Sequence, residues 1–106
     1  MLLERGTGAA AGASGNPAGI AKPYVTRAPT APADFLGAAH DALLRRLSAD
    51  ALAAASGYRP CGALQLTESV YPDHPRYRVL DAAALSSEAG TTLGGGGLAF
   101  DAAGWL

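Results

Sequence analysis

The chain has 106 residues, a formal net charge of -1 and a single cysteine. That charge leaves no clustered Lys/Arg footprint for nucleic acid or an anionic membrane, and a lone cysteine excludes an internal disulfide, which fits a reducing interior. The length suffices for one small domain, but about a quarter of the residues are alanine and 14 are glycine, which bury little area apiece, so the composition reads as part of a larger domain.

Met1 to Gly12 lacks the basic start and long apolar stretch of a secretory signal, and no run approaches the roughly 18 apolar residues of a bilayer span. These features predict a soluble cytoplasmic protein with no membrane partner. Leu2 and Leu3, closed by Glu4-Arg5-Gly6, read as the end of a buried strand. A strand ending in a carboxylate is how the second strand of a dinucleotide-binding fold reaches a ribose, where two oxygens at fixed geometry accept both hydroxyl protons. On spacing alone, Glu4 reads as an ordinary solvated glutamate at a strand end, because Glu-Arg pairs are common.

Gly6-Thr7-Gly8-Ala9-Ala10-Ala11 fits G-x-G-x-x-A. Its context does not suit a phosphate turn, because the strand before it ends in Glu4-Arg5 and Pro17 cuts the helix whose N-terminus would hold a pyrophosphate. The segment reads as an Ala/Gly-rich loop running to Gly19. Ile20 to Val25 alternates loosely as a short strand, with Pro23 demoting it to an edge. Pro29 and Pro32 bracket a linker.

Asp34 is the expected N-cap of a helix from Asp34 to Ala55, with Leu36, Ala39, Leu43 and Leu47 on its inner face, Arg45 and Arg46 opposite, and Gly57 as terminator. Cys61 to Leu66 follows as a strand that puts Leu64 and Leu66 on one face. Beyond a loop broken by Pro72 and Pro75, Arg78-Val79-Leu80 reads as a brief strand and Asp81 as the cap of a helical turn through Leu85. Gly97 to Phe100 is the last strand, before a turn at Asp101 to Gly104. The four glycines at 94–97 read as a turn, since no Lys-Ser or Lys-Thr follows them. His40, His74 and Cys61 have no metal-ligand spacing, and Cys61 reads as a small buried hydrophobe.

Ala13-Ser14-Gly15-Asn16-Pro17-Ala18-Gly19-Ile20, with Leu3-Glu4-Arg5 ahead of it, resembles the FAD-dependent oxidoreductases of the D-amino-acid oxidase and glycine oxidase superfamily. Within it the chain is most similar to the oxidoreductase module of the bifunctional enzymes that complete 5-methylaminomethyl-2-thiouridine at the tRNA wobble position. Phe35-Leu36, Cys61 to Leu66, and Gly96 to Phe100 leading to Gly104-Trp105 follow in the same order. The resemblance implies an α/β fold: a partial Rossmann-like FAD-binding domain lacking its first strand and glycine turn, plus the start of a substrate domain. Residues 1–33 would be the remnant of the FAD domain, with the second strand and flavin loop. Residues 34–106 would be the long helix and short strands leading into the substrate domain.

The resemblance further implies FAD as cofactor and an amine substrate, a modified tRNA base, from which a carboxymethyl group is oxidatively removed. Glu4 would bind the adenosine ribose and Arg5 would lie near the adenine. Ala13 and Ser14 would lie along the ribityl-pyrophosphate, and the backbone at Gly19 and Ile20 would approach the isoalloxazine ring. No residue is marked as a catalytic acid or base. The missing glycine turn leads to the expectation that the isolated chain binds FAD weakly or not at all. Other readings are a non-enzymatic truncated product or small α/β protein that has lost the flavin site, and a piece of an amino-acid or sarcosine-type oxidase.

Overall fold

A computed structural model describes Gly6, Gly8 and residues 18–49 and 54–106 of the chain. It is a mixed α/β arrangement: β1 (Ile20–Ala21), α1 (Ala31–Leu47), β2 (Ala63–Leu66), β3 (Arg78–Leu80), α2 (Ala82–Ala89), β4 (Gly97–Phe100) and β5 (Gly104–Trp105). Every strand pair among the described residues is antiparallel. One sheet has the order β2-β4-β3, and β1 pairs with β5 in a separate two-stranded ribbon. The expected strand at Leu2-Leu3 and the loop through Pro17 lie outside the described residues.

β4 is central and buried on both faces because its side chains alternate in size. Leu98 and Phe100 point to one face, where they form the core with Tyr77 and Ala103, and Val25, Ala63 and Tyr71 pack against them. Burying Leu98 and Phe100 contributes on the order of 1.5–3 kcal/mol each. Gly97 and Ala99 point to the other face, in register with Leu66 and Leu64 on β2 and with Leu80 and Arg78 on β3. Arg78 bonds Glu88 of α2, so α2 lies on this face, with Leu85 fully buried.

The glycines at 94–97 do more than turn. A Cβ on Gly96 would lie 2.6 Å from the Leu80 carbonyl oxygen, and one on Gly97 would collide with the carbonyl oxygen of Gln65. Close approach to both neighbouring strands therefore requires glycine there.

α1 departs from the expected helix at both ends and in its facing. Its N-cap is Thr30, whose hydroxyl accepts from the Ala33 N–H at 3.2 Å; Asp34 lies in the first turn instead. Pro32 fits this earlier start, since the first helical N–H groups need no intrahelical partner. The helix closes at Leu47, where the Ser48 hydroxyl donates back to the Leu44 carbonyl. A separate helical turn at 54–56 ends at Gly57 in the left-handed region.

Gly37, His40 and Leu47 are the buried residues of α1, whereas Leu36, Ala39 and Leu43 are exposed. Both rows have helical spacing. The buried one includes a glycine, because the neighbouring Arg76 guanidinium occupies the space a side chain would need.

Three smaller expectations are also revised. The strand after Gly19 stops at Ala21, and the next one begins at Ala63, because Gly62 turns the chain at φ +75°. Leu64 and Leu66 do share a face, but it is partly open to water. Cys61 lies outside the strand and is exposed, so it is not a core residue. The Asp81 cap is present, accepting from the Ala84 N–H at 2.8 Å, and α2 runs on to Gly90 in the left-handed conformation.

Candidate functional site

Of the residues expected to hold a cofactor, Glu4, Arg5, Ala13 and Ser14 lie outside the described residues, and Gly19 and Ile20 lie within them. Gly19 exchanges two backbone hydrogen bonds with Leu106, at 3.2 and 2.9 Å. Ile20 stands opposite Trp105, and Ala21 opposite Gly104. Trp105 bonds on its other side to the backbone of Arg59, at 2.8 and 3.1 Å. Gly104 is needed for this approach, because a Cβ there would meet the Arg59 carbonyl oxygen and lie 2.7 Å from the Tyr58 ring.

Since Trp105 spends both backbone groups on Arg59, Ile20 and Trp105 form a non-hydrogen-bonded pair, the closer of the two antiparallel pairings for side chains. Both are exposed, Ile20 at 74% and Trp105 at 43%. Among the described residues, no atom comes within 4 Å of a Cβ built on Gly19. The ribbon therefore offers an apolar patch beside open main chain.

Just beyond the ribbon, the chain turns inward at Pro23, and a cleft of about 470 Å³ opens between α1 and the loop before β3. His40 and Asp41 line it from α1. His74, Arg76 and Tyr77 line it from the loop, and Asp101 and Ala102 from the turn after β4. The Arg76 guanidinium lies over Gly37 and donates to Asp41 at 2.6 Å. That bond holds the Asp41 carboxyl below its ordinary range. The His74 ring stacks on Tyr77 at 5.3 Å between centroids, and its Nδ1 accepts from the Arg76 N–H. With Nδ1 accepting, the neutral ring carries its proton on Nε2. Tyr77 donates its hydroxyl to the Pro72 carbonyl, and burial pushes its pKa up.

His40 is 7% exposed, and its Nε2 has no hydrogen-bond partner among the described residues. Burial lowers its pKa against the opposing pull of Asp41 and of a hydrogen bond to the Ala21 backbone. Lys22 is half-buried beside it, 4.2 Å from the Phe100 ring centroid and donating to Gln65 Oε1 at 2.9 Å. Its pKa is lowered by burial as well. On the rim, Arg78 bridges Glu88 and Asp101 through a fork of four hydrogen bonds.

The cleft thus gathers two histidines, two arginines and two carboxylates from segments far apart in sequence, and periodicity gave no sign of it. One cue was available: Gly37, His40, Leu44 and Leu47 are themselves spaced as a helical stripe, though a less apolar one than Leu36, Ala39 and Leu43. His40 and His74 share the cleft. Yet no group of three or more His, Cys, Asp or Glu among the described residues is placed to hold a metal ion. No helix among the described residues is long and apolar enough to cross a membrane.

No protein-family model, curated protein or solved structure matches this chain.

Proposed function

We propose that this chain serves an FAD-dependent amine oxidoreductase that removes a carboxymethyl group from a modified wobble uridine, and that the β1–β5 ribbon is its isoalloxazine-facing edge. The observation that carries the reading is the pairing of Ile20 with Trp105. Two stretches that resemble the flavoprotein superfamily, one ending at Gly19-Ile20 and the other at Gly104-Trp105, lie at opposite ends of the chain and meet in one ribbon.

The residues present fit a flavin ring. A planar, largely apolar ring needs main chain it can approach closely and apolar side chains to displace water. Gly19 supplies the first, with open space where a side chain would stand, and Ile20 and Trp105 supply the second. A flavin held there would supply hydride acceptance from the carbon next to the substrate amine, while Gly19, Ile20 and Trp105 would orient its ring and exclude water. The roles of Glu4 at the ribose, Arg5 near the adenine, and Ala13 and Ser14 along the pyrophosphate belong to the same reading and rest on the resemblance.

The test is a titration of riboflavin and, separately, of FAD with the whole chain, followed by flavin fluorescence. Stacking near Trp105 quenches that signal, so weak but saturable quenching is expected. Ile20→Asp removes an apolar contact of roughly 1.5–3 kcal/mol when fully buried, so it weakens binding about tenfold or more. Quenching that never saturates, or an Ile20→Asp protein that binds as tightly as the parent, overturns the reading.

A further inference from the structure

α1 is held to the rest of the protein by a small set of side chains. Ala21 and Pro23 are buried where His40 sits, and the Arg76 guanidinium rests on Gly37 and pairs with Asp41. On the other side of the helix Phe35, Leu36 and Leu43 face water. His40 is the one buried polar or charged residue among those described, and its Nε2 is left unpaired. A neutral imidazole tolerates that position at modest cost, whereas an imidazolium would place a second N–H donor at Nε2, where the described residues supply no acceptor, and a full charge in a buried position.

We propose that His40 is a proton-operated latch on α1: neutral, it lets the helix dock as one wall of the cleft, facing Pro23 and the 74–77 loop, and protonation releases the helix and removes that wall. The charged surroundings decide the direction. Asp41, the next residue on α1, favours the protonated form, but its carboxylate is engaged by Arg76. Lys22 from the segment after β1 and Arg76 from the facing loop both disfavour it. His74, Arg78 and Asp101 complete the polar lining of the cleft, and Arg78 is shared between Asp101 and Glu88 in ion pairs of its own on the rim.

His40 titrates below its ordinary 6.5 when α1 is docked. The docked helix therefore has its full stability above about pH 6.5, and loses it as the pH falls, because the released state takes up a proton that the docked state excludes. One proton sets the steepest slope at about tenfold in the docking equilibrium per pH unit, flattening once the docked state also protonates. The Asp41–Arg76 pair fails only at lower pH, since its carboxyl is held below 3.8. The two windows are therefore separate.

Amide hydrogen exchange of the whole chain between about pH 7.5 and pH 5, corrected for intrinsic chemistry, tests the latch. The expected result is an opening constant for α1 that rises toward tenfold per unit below about pH 6.5 while α2 stays constant. That slope should be lost in His40→Gln and kept in His74→Asn. A slope that survives in His40→Gln, or α1 and α2 opening together, overturns the proposal. If His40→Gln does not fold, ring-proton NMR of the unaltered chain decides: a His40 pKa below 6.5 supports the latch and one at or above 6.5 refutes it. None of these readouts involves flavin, so the latch and the ribbon stand or fall separately.

Discussion

Gly37 and Gly104 are both buried glycines whose missing side chains leave room for a neighbour, yet they should differ in their tolerance of alanine. A Cβ on Gly37 would lie 2.5 Å from Arg76 Nη1 and 2.8 Å from its Cζ. The obstacle is the far end of a long, partly exposed side chain, which can swing aside. Against that displacement stands the helix preference for alanine, about 0.5–1 kcal/mol in a helix interior. The ion pair that is lost is open to water, with side-chain exposures of 30% and 44%, and pairs of that kind contribute little. Gly37→Ala is therefore expected to stay within about 1 kcal/mol of the parent. At Gly104 the obstacles are the Arg59 carbonyl oxygen and the Tyr58 ring, and that backbone is fixed by its bonds to Trp105. Gly104→Ala should cost about 1–3 kcal/mol, the usual range for overpacking. Urea unfolding at constant m-value measures both. A second readout separates mechanism from coincidence: in Gly37→Ala the Asp41 carboxyl loses its chief perturbing hydrogen bond and should titrate closer to 3.8. A Gly37→Ala protein less stable than Gly104→Ala, or an Asp41 titration unchanged by Gly37→Ala, refutes the reasoning.

Two further outcomes follow from caps and charges. Thr30→Ala should destabilise α1 by about 1 kcal/mol, and Asp34→Ala by less, because the cap hydrogen bond belongs to Thr30; helix content by circular dichroism of the two variants checks the order, and the reverse order would return the cap to Asp34. The Arg78 fork holds the Glu88 and Asp101 carboxyls below their ordinary 4.5 and 3.8. Its contribution is thus full above about pH 4.5 and declines as the pH falls through the depressed folded-state values. Arg78→Met should flatten that part of the acid-unfolding profile, and an unchanged profile would show that the fork adds nothing.

β2, β3 and β4 were legible as short apolar runs and Asp81 as a cap, but the helical turn expected to end at Leu85 runs on to Ala89, and Gly104–Trp105, expected to follow a turn that ends at Gly104, is a strand. The long helix was legible as a helix but not in its facing. Leu36, Ala39 and Leu43 make the more hydrophobic stripe, and area alone would bury it. In the docked helix the face toward the rest of the protein instead carries the bare backbone of Gly37, over which the Arg76 guanidinium lies, and the carboxylate of Asp41, one turn on along the same side. A partner contributed by a loop thirty-odd residues away leaves no trace in helical periodicity. The charged cleft was illegible for the same reason, since its residues have no common spacing and meet only after α1 has docked.

The ribbon and the cleft are joined by the short run from Ile20 to Pro23, whose side chains are divided between them. Ile20 faces outward beside Trp105, Ala21 and Pro23 are buried beneath α1, and Lys22 reaches sideways to Gln65 and Phe100. The ribbon is fixed by backbone hydrogen bonds to Leu106 and onward to Arg59, none of which titrates. Docking of α1 depends on side chains that do titrate, at His40 and Asp41. A fall in pH therefore acts first on the helix and its cleft. The register at Ile20 and Trp105 is held by backbone bonds, to Leu106 and to Arg59, that do not titrate.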